Sequence, residues 1–209
     1  MLRARSFLAL AALLLAVACG GTKKEAALPA GTRVLALGDS LTAPHGVQPG
    51  EDWPTLLGQK TGWVVVNGGV SGNTSAQALD RLPALLEQHD PKLVLVTLGG
   101  NDMLRRVPQG QTVANLGRIL DLAKARGAKA VMLATPKPSI AGAVFNSLSP
   151  PDFYAELAKG HQVPLIADAL PDVLADTNLK GDQLHPNVAG HALLATKIVE
   201  ALKKIGYVR

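Results

Sequence analysis

A chain of 209 residues with 47% hydrophobic and 18% charged residues holds one domain, with enough apolar material to fold around its own core without disulfide or metal staples. Lysine and arginine number 21 against 16 acidic side chains, a formal charge of +5, but no long run of like charge occurs and aromatics make up only 3%. That composition argues against nucleic-acid binding, which needs a basic stripe or a stacking platform, and the single cysteine excludes a disulfide framework.

At the N-terminus, Arg3 and Arg5 precede an apolar run from Phe7 to Ala18, followed by Cys19. A helix spanning a bilayer needs about 20 apolar residues, so this shorter run has the layout of a secretory signal, residues 1–18. Ala16, Val17 and Ala18 before Cys19 resemble the lipobox of bacterial lipoproteins, with alanine where leucine is more typical. The expectation is an exported, periplasmic or cell-envelope protein of a bacterium, held to a membrane by lipid on Cys19, with residues 19–31 as the linker. The plainer alternative is a small hydrophobic residue at an ordinary cleavage site. Removing Arg3 and Arg5 lowers the formal charge from +5 to +3.

The domain is expected over 32–209. Strands are predicted at Arg33–Leu37, Trp63–Asn67, Lys92–Leu98, Lys129–Ala134 and Val163–Ala167, and the near-continuous Val, Leu and Ala content around Val34, Val94 and Val131 suits strands covered on both faces. Helices are predicted at about Ser75–Gln88, Val113–Arg126, Asp152–Lys159 and Val188–Ile205, with Gly127, Gly160 and Gly206 placed to stop three of them. This alternation implies a three-layer α/β/α sandwich with a five-stranded parallel sheet, whose ligands sit beyond the C-terminal ends of the strands.

Four segments at those ends carry candidate chemistry. Gly38-Asp39-Ser40-Leu41 follows the first strand and exposes a serine, which needs a base, itself oriented by a carboxylate, to become a nucleophile. Asn67 to Thr74, after the second strand, is rich in glycine and lets a backbone N–H approach a substrate oxygen. Gly99-Gly100-Asn101-Asp102 follows the third strand, and the Asn101 amide is a neutral donor that keeps its hydrogens at any working pH. Asp182 and His185, three apart before the last helix, can face one way as orienter and base. Each segment alone is also an ordinary turn, glycine cap, Asx turn or surface loop. Together they supply every part of an acyl-transfer site.

These four blocks, in this order, resemble the GDSL, or SGNH, hydrolase family, and Asn67–Leu86, Leu98–Asp102 and His185-Pro186-Asn187 resemble its bacterial group of multifunctional thioesterase I, lysophospholipase and arylesterase. The resemblance implies a flavodoxin-like SGNH hydrolase fold. It also implies Ser40 as nucleophile, His185 as base, Asp182 as its partner, and the N–H groups of Ser40 and Gly72 with the Asn101 amide as oxyanion hole. The stretch from Pro136 to Ala155 carries nothing diagnostic of the family.

Leu41, Val70, Met103, Leu104, Val107 and Pro108 are expected to line the substrate site, an apolar set suited to acyl chains or aryl esters rather than sugars. The substrate is then a small-molecule or lipid ester, with no cofactor, no metal and a monomeric chain expected. His45 is read as a solvated loop residue that can line the cleft. Asp39 and Asp102 are read as loop ties, Asp168 and Asp176 as poorer orienters than Asp182, and Arg105 and Arg106 as solvated charges. Two rivals share these residues: a carbohydrate acetylesterase acting on envelope polysaccharide, and a catalytically silent surface lipoprotein that uses the cleft for binding.

Overall fold

The computed structural model describes residues 25–138 and 148–209; the signal run, Cys19 and the first part of the linker lie outside them. Five strands, β1 (Arg33–Gly38), β2 (Val64–Gly69), β3 (Leu93–Thr97), β4 (Lys129–Leu133) and β5 (Leu165–Ile166), form one parallel sheet in the order β2-β1-β3-β4-β5. Its seven helices among the described residues are α1 (Trp53–Thr61), α2 (Ser75–His89), α3 (Gly100–Leu104), α4 (Gln109–Ala125), α5 (Phe153–Gly160), α6 (Ala169–Ala175) and α7 (Val188–Ile205). The chain winds outward from β1 to β2 and then reverses to β3, so the switch point where α/β sheets bind ligands lies at the C-terminal ends of β1 and β3.

Alternation along the strands builds two cores. Leu35 and Leu37 of β1, Val94 and Val96 of β3, and Met132 of β4 face α2, α4 and α5. Val34 and Ala36, Leu93 and Leu95, and Val131 and Leu133 face α1, α6 and α7 on the other side. Successive strand side chains point to opposite faces, so a sheet covered on both sides reads as an unbroken apolar run.

Four of the helices begin and end close to their predicted bounds, and α2 starts with Thr74 and Gln77 in a reciprocal capping box. Helix α1 went unpredicted, although Asp52 accepts from Thr55 N and Pro54 occupies the first turn, both sequence signals of a helix start. Gly58 within it obscures the pattern. A Cβ there would lie 3.1 Å from Trp63 O, so the glycine lets helix and strand approach closely. Short α3 and α6 and the 3-10 turn Thr177–Leu179 were also not predicted. Gly160 closes α5 but does not turn the chain; Gln162, at φ 53°, does.

The linker expectation is corrected in part. Glu25 N donates to Ile205 O (3.2 Å), Leu28 N to Tyr207 O (2.9 Å) and Gly31 N to Gly62 O (2.8 Å), so residues 25–31 are bonded onto the domain. Backbone groups that find partners in the fold do not form a free tether.

Candidate active site

Ser40 follows β1, where a strand exit places its hydroxyl above the sheet edge. His185 Nε2 lies 2.9 Å from Ser40 Oγ, and His185 Nδ1 lies 2.8 and 3.0 Å from the two Asp182 carboxylate oxygens. This is the serine-base-carboxylate relay, in which one ring nitrogen takes the hydroxyl proton while the other donates to the orienting carboxylate. Asp182 Oδ1 also accepts from the N–H groups of Leu184 (2.7 Å) and His185 (2.9 Å). Burial alone would raise its pKa, but these donors and the imidazole hold Asp182 below the usual carboxylate range.

The segment carrying both residues is clasped by an antiparallel bridge between Lys180 and Pro186 and by Asn187, whose side chain caps α7 at Gly190 N and bonds Asn178 O. Gly190 allows this packing, since a Cβ there would lie 2.2 Å from Leu179 O.

Gly72 lies in the loop after β2, at φ 79°, a left-handed conformation that suits glycine. Among the described residues, neither the Gly72 N–H nor the Ser40 N–H has a hydrogen-bond partner. Asn101 lies in the first turn of α3, which follows Gly99 at φ 117°, with one amide hydrogen on Asp39 Oδ2 (3.0 Å) and the other on Asn73 O (3.1 Å). An oxyanion receives the second hydrogen by taking the place of Asn73 O or sharing the donor with it.

Asp39 therefore does more than tie its own loop. Its Oδ1 accepts from Leu41 N (3.0 Å) and its Oδ2 fixes which way the Asn101 amide points, because an anionic oxygen there selects Nδ2 over Oδ1. Burial pushes the Asp39 carboxyl up to about 6, against the lowering pull of Leu41 N–H, Asn101 and His185. The folded state thus holds this proton more tightly than the unfolded chain. The contribution of this group to stability falls as pH rises from 3.8 through about 6, and above that range the ionised buried carboxylate costs about 3 kcal/mol. Asp39→Asn should lower kcat/KM about tenfold above pH 6, the value of one hydrogen bond to a charged group. It should leave the midpoint of urea unfolding at pH 7 no lower and remove one ionisation from the acid limb of the pH–rate profile. An unchanged acid limb in the variant would show that Asp39 does not set the amide.

Asp102 is a loop tie as expected, accepting from Ser75 N (2.8 Å) and Ser75 Oγ (2.5 Å). Asp176 caps Asn178 N and does not reach the base. His45, read as solvated, is exposed yet lies against the His185 ring, 4.0 Å between centroids and tilted by 35°, with Nε2 3.9 Å from Asp182 Oδ2. His45, Asp182 and His185 bring ligand-type atoms within 4.8 Å of one another, but both His185 nitrogens are engaged by Asp182 and Ser40. Sequence reasoning missed Arg81 altogether. From α2 it donates to Gly38 O (2.9 Å) and to Asn73 Oδ1 (2.8 Å), joining the exits of β1 and β2.

Of the six residues expected to line the substrate site, Met103 and Val107 line a groove that Ser40, Gly72, Asn101, Asp182 and His185 do not line. This groove, of about 630 Å³, is also lined by Pro138, Pro151 and Phe153 and by the charged Arg106, Lys137, Asp152 and Glu156. Leu104 at the end of α3 and Pro108 before α4 are exposed without lining the groove, and Val70 is exposed beyond β2. Leu41 is corrected: it is 7% exposed and packs in the core with Trp53, whose indole N–H donates to its carbonyl. Its place directly after the nucleophile turns it into the sheet rather than the cleft.

A family model described as the GDSL-like Lipase/Acylhydrolase family matches residues 36–193. The chain is 36% identical over 188 residues to an arylesterase of Vibrio mimicus, covering 86% of this chain and 92% of that protein. It is 38% identical over 177 residues to the thioesterase 1/protease 1/lysophospholipase L1 of Escherichia coli (strain K12), covering 82% and 84%. The crystal structure of TesA superposes with a TM-score of 0.74 at 32% identity, covering 83% of this chain and 99% of that one.

Proposed function

We propose a function from one established premise: the chain belongs to the GDSL-like lipase/acylhydrolase family and is an ester-hydrolysing serine hydrolase. Ser40 Oγ attacks the ester or thioester carbonyl carbon while His185 Nε2 takes the hydroxyl proton. The tetrahedral oxyanion is held by the N–H groups of Ser40 and Gly72 and the Asn101 amide. Collapse breaks the bond to the leaving group, which receives the proton from His185, and leaves an acyl ester on Ser40. Water then attacks that ester, giving its proton to His185, and the acid departs as Ser40 regains a proton. The observation that carries this reading is the relay itself, 2.9 Å from Ser40 Oγ to His185 Nε2 and 2.8 Å from His185 Nδ1 to Asp182.

For substrates we infer acyl and aryl esters, acyl thioesters and lysophospholipid-like molecules. Met103, Val107 and Phe153 in the groove support an apolar acyl or aryl group, while its two basic residues, Arg106 and Lys137, are matched by Asp152 and Glu156. The arylesterase and thioesterase relatives support the same range. Export as a lipoprotein through Cys19 completes the reading, on the signal run and the lipobox-like Ala16-Val17-Ala18.

A fluorophosphonate probe tests the nucleophile: the wild-type chain should label at Ser40 and Ser40→Ala should not. Labelling that survives in the variant places the nucleophile elsewhere. Initial rates on p-nitrophenyl acyl esters should exceed those on acetylated sugars; the reverse order favours the acetylesterase reading. The mass of the chain purified from its native envelope should show an acylated N-terminal Cys19, and a free cysteine there removes the anchor.

A further inference from the structure

In a parallel α/β sheet the strands start and the helices finish at one end, and the catalytic segments occupy the other. The starting end of this domain is basic. Lys60 closes α1, Lys159 closes α5, Lys203 and Lys204 close α7, Arg126 follows α4 and Arg209 ends the sequence, all exposed. Glu25, Asp90 and Asp121 at this end are already bonded, Glu25 to Lys129, Asp90 to Arg33 and Lys92, and Asp121 to His161, which leaves Glu87 and Glu200 as other nearby carboxylate side chains. The catalytic end is mixed in charge: Asp39, Asp52, Asp102, Asp152, Asp176 and Asp182 lie there with Arg81, Arg105, Arg106, Lys137 and Lys180. Each lysine is favoured locally by the helix C-terminus it sits on. Because α1, α2, α4, α5 and α7 end together, the local preferences add into one field.

Two further observations say what covers this face. The hydrogen bonds of Glu25 to Ile205 O and of Leu28 to Tyr207 O bring the N-terminal segment out at the same end. From Cys19 to Glu25 the chain can span about 20 Å at most. Amid the basic residues, a cleft of about 440 Å³ is lined by Leu28, Pro29, Trp63 and Val208, with Val64 54% exposed nearby.

We propose that this basic end docks on an anionic phospholipid bilayer and holds the catalytic cleft facing away from that membrane. Lysine and arginine near an anionic surface each add to binding, and the effect decays within a Debye length, so a flat face carrying several of them binds best when it lies parallel to the bilayer. The docked enzyme draws its substrate from the aqueous side, not from the leaflet beneath it. The inference rests on the hydrolase reading for what the cleft does. It shares with the anchor reading only the point where the tether emerges.

The test uses the chain from residue 19 onward with Cys19→Ser, which carries no lipid and retains both cores, since their buried residues lie between Val34 and Tyr207. Flotation with vesicles of phosphatidylcholine plus about one-quarter phosphatidylglycerol should show binding that about 0.5 M sodium chloride abolishes, with none to phosphatidylcholine alone. Lys203→Glu with Lys204→Glu and Arg209→Glu should weaken it about tenfold or more while hydrolysis of a soluble aryl ester is retained. A variant of equal charge change, Arg118→Glu with Lys180→Glu and Lys197→Glu, should bind nearly as the parent does. Absence of binding to the anionic vesicles, equal loss in both variants, or equally tight binding to double-stranded DNA each overturns the proposal. A wild-type mass without lipid refutes the anchor alone, and a failed fluorophosphonate reaction refutes the hydrolase site alone.

Discussion

Ser40→Ala and His185→Ala should each lower kcat for a p-nitrophenyl ester by about 10⁴ to 10⁶, and the double variant should be no slower than the worse single one. The reason is geometric. Oγ and Nε2 are 2.9 Å apart, so the proton leaves the serine as the carbon–oxygen bond forms, and either partner without the other has nothing to do. Residual activity in all three variants should be similar, arising from the oxyanion donors and the groove, which neither substitution touches. Unfolding midpoints should stay near the parent because both side chains sit at the cleft rather than in either core. Losses that multiply in the double variant would mean that the two residues act in separate steps.

Asp182→Asn should lower kcat/KM by about 10³ or more with little change in stability. The carboxylate is about half exposed, so its effect does not depend on strong buried electrostatics. It depends on the tautomer. An asparagine oxygen can still accept from Leu184 and His185 N–H at 2.7 and 2.9 Å, which keeps the loop. Its amide nitrogen then faces His185 Nδ1 as a donor and drives the ring hydrogen onto Nε2. That nitrogen, pointing at Ser40, no longer has a lone pair to accept the serine proton. A loss below tenfold would show that another group orients the base. His45, beside the ring and 3.9 Å from the same carboxylate, is the first to replace in that event.

Much of the site was legible because its parts are local. Asp182 and His185 are three residues apart, Ser40 comes two residues after its strand, and Asn101 lies in the first turn of its helix, so each carries its own turn and strand signals. The three-layer fold was legible for a similar reason. Leu35 against Val34 and Val96 against Leu95 point to opposite faces, and a continuous apolar run is what two covering layers demand. Helix α1 shows the limit of that reasoning, since Gly58 breaks its pattern for the sake of contact with Trp63 O, a neighbour no window along the chain reveals.

The sequence by itself determined the strands, the major helices and the identity of the four catalytic segments, because these follow from periodicity and turn chemistry over short spans. Only the tertiary structure decided how the segments are held. Asp39 sets the Asn101 amide across 62 positions, and Arg81 reaches 43 back to Gly38 O, through contacts that exist only once the sheet has assembled. It also turned Leu41 into the core, laid His45 on the base and fastened residues 25–31 to the domain. A side chain's direction and a strand exit's neighbours are set by packing among distant elements, and the order of residues along the chain does not carry that information.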